Sequence, residues 1–263
     1  MIVYKNEKEI LAIKKSNQIV AKILSDLSKM VKPGIQTQEL DAYAYSKAKD
    51  MGSIPAFKGY RNFPASLCTS INEEIVHGIP SSRTLQEGDI VSLDFGVIFK
   101  GYYGDAAVTL PVGEVSSTAS QLIAAAKQSF YEGLEQLKVG NRISDVSYAI
   151  QQHVEAQGFS VIKTFVGHGI GMSLHEEPQI PNFGSPGHGP KIKPGMVLAI
   201  EPMIAVGDWN VEILADKWTA ITRDKSLSAH YEHTVAVRED SVEILSLLDT
   251  NFESSSIKES KYA

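Results

Sequence analysis

Cysteine is nearly missing from this chain. Cys68 stands alone among 263 residues, so no disulfide can close within the chain and a thiolate-rich metal site is excluded. A reducing cytoplasm is the expected compartment. Long apolar runs are missing too: nothing approaches the roughly 20 residues of a membrane span. Residues 1–16, studded with Lys and Glu, lack the apolar stretch of a signal peptide, and neither membrane nor export is expected. Positive charge is short as well. With 25 Lys and Arg against 31 Asp and Glu, a net charge of −6 argues against DNA as a partner of the whole chain. A local exception is the Gly/Pro-rich loop 185–194 with Lys191 and Lys193, read either as a solvated surface turn or as a local basic contact for nucleic acid.

What is present suits a globular domain. Residues 5–31 carry Ile13, Val20, Ile23, Leu24, Leu27, Met30 and Val31 at helical spacing, and Pro33-Gly34 ends that helix. Thr37 is expected to cap a second helix that stops at Gly52. Thr118 and Gln121 read as a capping box for a third, and Ser144 as the cap of a fourth that ends at Gly158. Order then repeats itself. Gly34, Leu40 and Gly52 are spaced as Gly140, Val146 and Gly158 are, and His77-Gly78-Ile79 returns as His168-Gly169-Ile170. A strand holding Asp94 six residues after Gly88 returns as one ending on Glu201 six residues after Gly195. The period is too long for a solenoid, so a pseudo-two-fold duplicated unit is expected. Strands 90–99 and 102–110 flank Lys100-Gly101 as a hairpin. The expected class is α+β, a central antiparallel sheet covered by helices. One catalytic domain spans 1–250, and a Ser- and Lys-rich tail follows at 251–263.

Asp94 and Asp105 lie about equally far from the hairpin turn. Aspartate is depleted in strand interiors, so the pair is either a set of edge residues or a site where a cation relieves their repulsion. A bulge at Gly96 or Gly104 is expected to bring them to one face. Glu201 closes an apolar strand, and Glu232 opens another strand-like run at 229–237. His168 sits between Gly167 and Gly169, where it is either a structural histidine or a ligand. Four carboxylates and one imidazole form a hard donor set that suits Co, Mn or Fe(II). Two such divalent metal ions balance four negative charges and support hydrolysis of an amide.

Taken in order, these motifs resemble the methionine aminopeptidases. The carriers are Ser92-Leu93-Asp94-Phe95-Gly96, Gly104-Asp105-Ala106-Ala107, Gly167-His168-Gly169-Ile170-Gly171 and Leu174-His175-Glu176-Glu177-Pro178, then Ile200-Glu201-Pro202 and Tyr231-Glu232-His233-Thr234. The likeness runs over about residues 6–247. The short distance from Glu201 to Glu232 is similar to that of the type I bacterial enzymes. It implies the duplicated pita-bread fold and removal of the initiator methionine from nascent chains, with small second residues favoured, by hydroxide attack at a two-metal site. By the same resemblance Asp94 chelates one metal, His168 and Glu201 the other, and Asp105 and Glu232 bridge. Glu201 takes the proton of the attacking water, His175 steadies the carbonyl oxygen, and His77 meets the scissile nitrogen. The methionine pocket it implies is formed by Phe57, Tyr60, Phe63, Cys68, His77, Leu174 and Trp218. Some bacterial relatives carry Cys, Tyr and Phe at the positions of Phe57, Phe63 and Leu174, which bears on pocket shape. A monovalent cation, Na or K, near Asn72 and Ser228 is a further implication.

Two other functions fit the same motifs less well. A proline-directed aminopeptidase or dipeptidase of this fold usually has a separate N-terminal domain. A non-catalytic peptide- or ribosome-binding module would have lost metal ligands, and all five are intact here. The expected setting is a cytoplasmic monomer acting on nascent polypeptide N-termini.

Overall fold

The structure is a computed structural model that describes residues 1–249; the tail expected at 251–263 lies outside them. Four helices come in two pairs, α1 (Glu7–Met30) with α2 (Thr37–Asp50) and α3 (Ser117–Glu135) with α4 (Ile143–Ala156). Asn6 caps α1, accepting from the Glu9 amide while the Glu9 carboxylate accepts from the Asn6 amide. The other three caps differ from expectation. Helix α2 starts on Thr37 itself, with Gln36 as N-cap and the Glu39 carboxylate accepting the Gln36 amide at 2.8 Å. Helix α4 repeats this with Arg142 and Asp145 at 2.7 Å, while the Ser144 hydroxyl accepts from the His188 amide. Helix α3 begins earlier than Thr118, because Ser116 accepts from the Ala119 amide. In α2 and α4 the acidic residue three positions into the helix, rather than a hydroxyl residue, marks the start.

Among the described residues, nine strands form the main sheet. Its centre is the hairpin Ile90–Phe99 and Tyr102–Pro111, then Glu232–Val237 and Val197–Ile200, with Val166–Gly169 and Glu176–Pro181 outside the last. All pairings given for it are antiparallel. The two central hairpin-like pairs meet along one seam, where only Glu232 with Ala107 and His233 with Ala106 stand in register.

The duplication is visible in the backbone. Gly34 and Gly140, Gly52 and Gly158, and Gly88 and Gly195 all take positive φ, between 69° and 96°, a region that only glycine enters without strain. Isolated bridges Gln36 to Thr84 and Arg142 to Lys191 occupy matching places. The second His-Gly-Ile departs from the first: His77 lies outside any strand at φ 63°, whereas His168 is inside a strand.

Alternation along the strands sorts the two faces of the sheet. Val91, Leu93, Phe95 and Val97 pack with the later turns of α1 and with α2. Leu198, Ile200, Val235 and Val237 pack with α3 and α4. The residues between them turn to the opposite face.

Candidate active site

Asp94 stands in register with Ala107, and Asp105 with Gly96. Residues paired across strands share a face, as do residues two apart along one strand, so both carboxylates emerge on the face away from the helices. The bulge expected at Gly96 or Gly104 is absent, because the register runs without a shift from Ile90 to Phe99. Both glycines have another cause. A Cβ on Gly96 would come within 2.8 Å of the Phe57 ring, and one on Gly104 within 2.7 Å of the α1 backbone at Asn17.

The same rule brings in the other three residues. Glu232 pairs with Ala107, and Thr234 pairs with Ala199, which pairs in turn with His168. Glu201 follows the strand Val197–Ile200, one step beyond Ile200 on the helix face. His168 Nε2 lies 3.4 Å from Glu201 Oε1 and 4.0 Å from Asp105 Oδ2. Asp105, His168 and Glu232 each offer a ligand atom within 4.8 Å of the others.

A dry setting makes these carboxylates hard to ionise. Burial raises Asp94 to about 7. Burial raises Asp105 well above the carboxylate range, with added push from Asp94 and Glu201. Glu201 and Glu232 are driven up in the same way, by burial first and then by neighbouring carboxylates. Asp94 Oδ1, Asp105 Oδ1 and Glu232 Oε1 are buried without a hydrogen-bond partner. Unpartnered oxygens on a like-charged cluster are costly. Divalent cations would remove that cost, and the oxygen and imidazole donors fit Mn, Fe(II) or Co. His168 is driven down to about 3 by burial, so its ring is neutral. Its Nδ1 lies 2.9 Å from the Gly169 carbonyl, which leaves Nε2 facing the carboxylates, as a ligating histidine requires.

Above the carboxylates opens a cavity of about 300 Å³. All seven expected pocket residues line it: Phe57, Tyr60, Phe63, Cys68, His77, Leu174 and Trp218. Phe63 meets the edge of Trp218 at 5.1 Å between ring centres, and Trp218 is half-buried on a turn whose amide donates to Asp216. Cys68 pairs with Asp94 in the sheet, and burial together with the nearby Asp94 charge pushes its thiol pKa up; it is an inert wall. His175 stands at the mouth, its ring centre 4.3 Å from that of His168 and its Nδ1 2.8 Å from the Tyr60 hydroxyl. Burial lowers His77 to about 4, helped by the nearby His175.

Sequence reasoning passed over several residues here. Lys5 forms a buried ion pair with Glu176 at 2.5 Å, and Glu176 also accepts from the Ser173 amide; together they hold the loop that carries His175. Phe165 meets the edge of His77, and Arg61 at φ 48° adds the lone Lys or Arg of the lining. Most notable is His230, with Nε2 3.8 Å from both Glu201 Oε2 and Glu232 Oε2. A polar residue two positions before Glu232 in an otherwise strand-like run was its available signal. The run expected at 229–237 is broken at Tyr231, whose amide donates to the Pro202 carbonyl. His230 therefore belongs to a small separate sheet with Met203.

The comparisons with known proteins agree with this geometry. Residues 12–239 match metallopeptidase family M24. A methionine aminopeptidase of Clostridium acetobutylicum is 50% identical over 250 residues, 95% of this chain and 100% of that protein. The crystal structure of a methionine aminopeptidase from Thermotoga maritima superposes with a TM-score of 0.92 at 44% identity, covering 94% of this chain and 99% of that one. A prolidase from Pyrococcus horikoshii shares the fold alone, at 21% identity and a TM-score of 0.77, with 65% of its length covered. The chain belongs to metallopeptidase family M24, within the bacterial methionine aminopeptidases.

Proposed function

We propose that this chain removes the N-terminal methionine of nascent proteins and peptides, favouring small second residues. The observation that carries the proposal is the convergence of Asp94, Asp105, His168, Glu201 and Glu232 on one sheet face at the floor of an apolar cavity. When bound there, two divalent ions supply Lewis acidity and activate a water. The residues do the rest. Asp94 would hold one ion, His168 and Glu201 the other, and Asp105 and Glu232 would serve both. Glu201 is assigned to accept the proton of the attacking water, as the resemblance to the methionine aminopeptidases implies. His175 steadies the carbonyl oxygen from the mouth of the cavity, and His77 faces the leaving nitrogen. Phe57, Tyr60, Phe63, Cys68, Leu174 and Trp218 surround the methionine side chain and exclude water from the reacting bond.

The finer assignments belong to the same reading. Mn, Co or Fe(II) serves as the ion, and availability decides among them. Na or K sits near Asn72 and Ser228, which are already linked by the Ser228 amide to the Asn72 carbonyl at 2.8 Å. The protein works as a cytoplasmic monomer with residues 1–250 as one catalytic unit, and exposed Lys191 and Lys193 touch the ribosome. A metal-stripped sample, titrated with Fe(II), Mn and Co, is assayed on Met-Ala-Ser and on an Xaa-Pro peptide. Recovery of Met-Ala-Ser cleavage is expected, and preference for the Xaa-Pro peptide would overturn the proposal.

A further inference from the structure

Among the described residues, His230 is a buried imidazole within 4 Å of two of the carboxylates that no role above uses. Its side chain is 2% exposed, and both ring nitrogens are buried without a hydrogen-bond partner. Two orphaned polar atoms on one buried ring are costly, so their placement calls for a cause. The backbone around the ring is pinned. The His230 amide donates to Thr109 Oγ1 at 2.9 Å, and Thr109 Oγ1 donates back to the His230 carbonyl at 2.8 Å. Thr109 is itself held by Ser92 at 2.7 Å. The hairpin that carries Asp94 and Asp105 thus fixes where the imidazole stands. Nε2 is equidistant from Glu201 Oε2 and Glu232 Oε2, at 3.8 Å each. That is longer than a hydrogen bond, so a bond to either carboxylate needs a small shift from the positions seen here. The other oxygen of each side chain looks elsewhere: Glu201 Oε1 faces His168, and Glu232 Oε1 has no protein partner.

We propose that His230 is a positioning residue, whose single ring N–H at Nε2 is shared between the outer oxygens of Glu201 and Glu232 and fixes how the two carboxylates present their remaining lone pairs to the divalent ions. The inference rests on the metal-site assignment made above. It predicts that the imidazole sets how tightly the ions are held, without being a ligand itself. Groups that hold ligating side chains from behind typically contribute 10- to 100-fold to metal affinity.

The test is calorimetric titration of the full-length, metal-stripped protein with Mn²⁺ in the wild type and in His230→Leu, His230→Gln and His230→Asn. Glutamine keeps an N–H donor near the Nε2 position; leucine keeps the bulk without a donor; asparagine is too short to reach the carboxylates. The expected result is Mn²⁺ binding weakened about 10- to 100-fold in His230→Leu and restored to within about threefold of wild type in His230→Gln. Equal Kd for wild type and His230→Leu overturns the proposal. Equal losses in His230→Gln and His230→Leu also overturn it, because an N–H donor at that place then makes no difference to the ions. Should His230→Leu fail to fold, judged by circular dichroism without metal, the Gln and Asn variants decide, and equal Kd in those two overturns it. A wild type that binds no Mn²⁺ fails the metal-site assignment instead, and the proposal falls with it.

Discussion

The Tyr60 hydroxyl and His175 Nδ1 lie 2.8 Å apart at the mouth of the cavity. This contact fixes which nitrogen of His175 faces inward, since a neutral ring donates from one nitrogen and accepts at the other. Tyr60→Phe removes a single hydrogen bond, worth about 1 kcal/mol. The expected outcome is a kcat lowered roughly five- to tenfold on Met-Ala-Ser, with little change in KM. A KM change alone would mean that Tyr60 acts only as pocket wall.

Gly96 and Gly104 separate pocket from scaffold. An added methyl at Gly96 meets the Phe57 ring, whereas one at Gly104 meets the backbone of α1. An aromatic ring can swing aside, and a helix backbone cannot do so cheaply. Gly104→Ala is expected to lose about 1–3 kcal/mol of stability or more, measured by urea unfolding. Gly96→Ala is expected to lose less stability and to raise KM for methionyl peptides several-fold, because Phe57 moves into the space for the side chain.

Metal binding and pH are linked through the carboxylates. Their folded pKa values lie above the unfolded ones, so the folded metal-free protein binds more protons than the unfolded chain between the two values. The stability this contributes is full below about pH 4 and is lost as pH rises, passing about 7 for Asp94. Divalent ions do the reverse, because they compete with those protons. The gain in Tm on adding Mn²⁺ at 100 times its Kd, roughly 5–10 °C at neutral pH, should therefore shrink at pH 5.5 at the same total Mn²⁺. Differential scanning fluorimetry with and without Mn²⁺ checks this, and a gain independent of pH would contradict it.

Asp105→Asn tests the same cluster from the other side. Asparagine removes the cost of burying an ionisable carboxyl beside Asp94 and Glu201, so the metal-free variant should melt above the metal-free wild type at pH 8. Its activity should fall about 10³-fold, since several kcal/mol of transition-state stabilisation leave with the ligand. Full activity in this variant, or in Asp105→Ala, would refute the metal site.

The carboxylate cluster was legible because acidic side chains inside strands, as at Asp94 and Asp105, or at strand ends, as at Glu201 and Glu232, violate the usual preference, and four such positions are hard to produce by chance. Pairing parity then places Asp94 and Asp105 on one face without a bulge, a result already implicit in the two-residue turn at Lys100-Gly101. The caps were misread for a local reason: Thr37 and Ser144 have hydroxyls suited to capping, yet those hydroxyls bond across the fold to residues 81 and 188. His230 escaped notice because a single histidine in a strand-like run has no periodicity to betray it. The break at Tyr231 depends on the Pro202 carbonyl, a partner 29 positions away along the chain. Long-range hydrogen bonds of this kind leave little local trace.

The seam between the halves of the sheet has a mechanical consequence. Only Glu232 with Ala107 and His233 with Ala106 stand in register across it, yet the proposed ligands come from both sides: Asp94 and Asp105 from one hairpin, and His168, Glu201 and Glu232 from the other half. Ions held at this place act as rivets through a joint that backbone pairing closes only weakly. Amide exchange along residues 105–107 and 232–233 should therefore report metal occupancy, slowing as the rivets go in, while exchange deep in α1 or α4 stays unchanged.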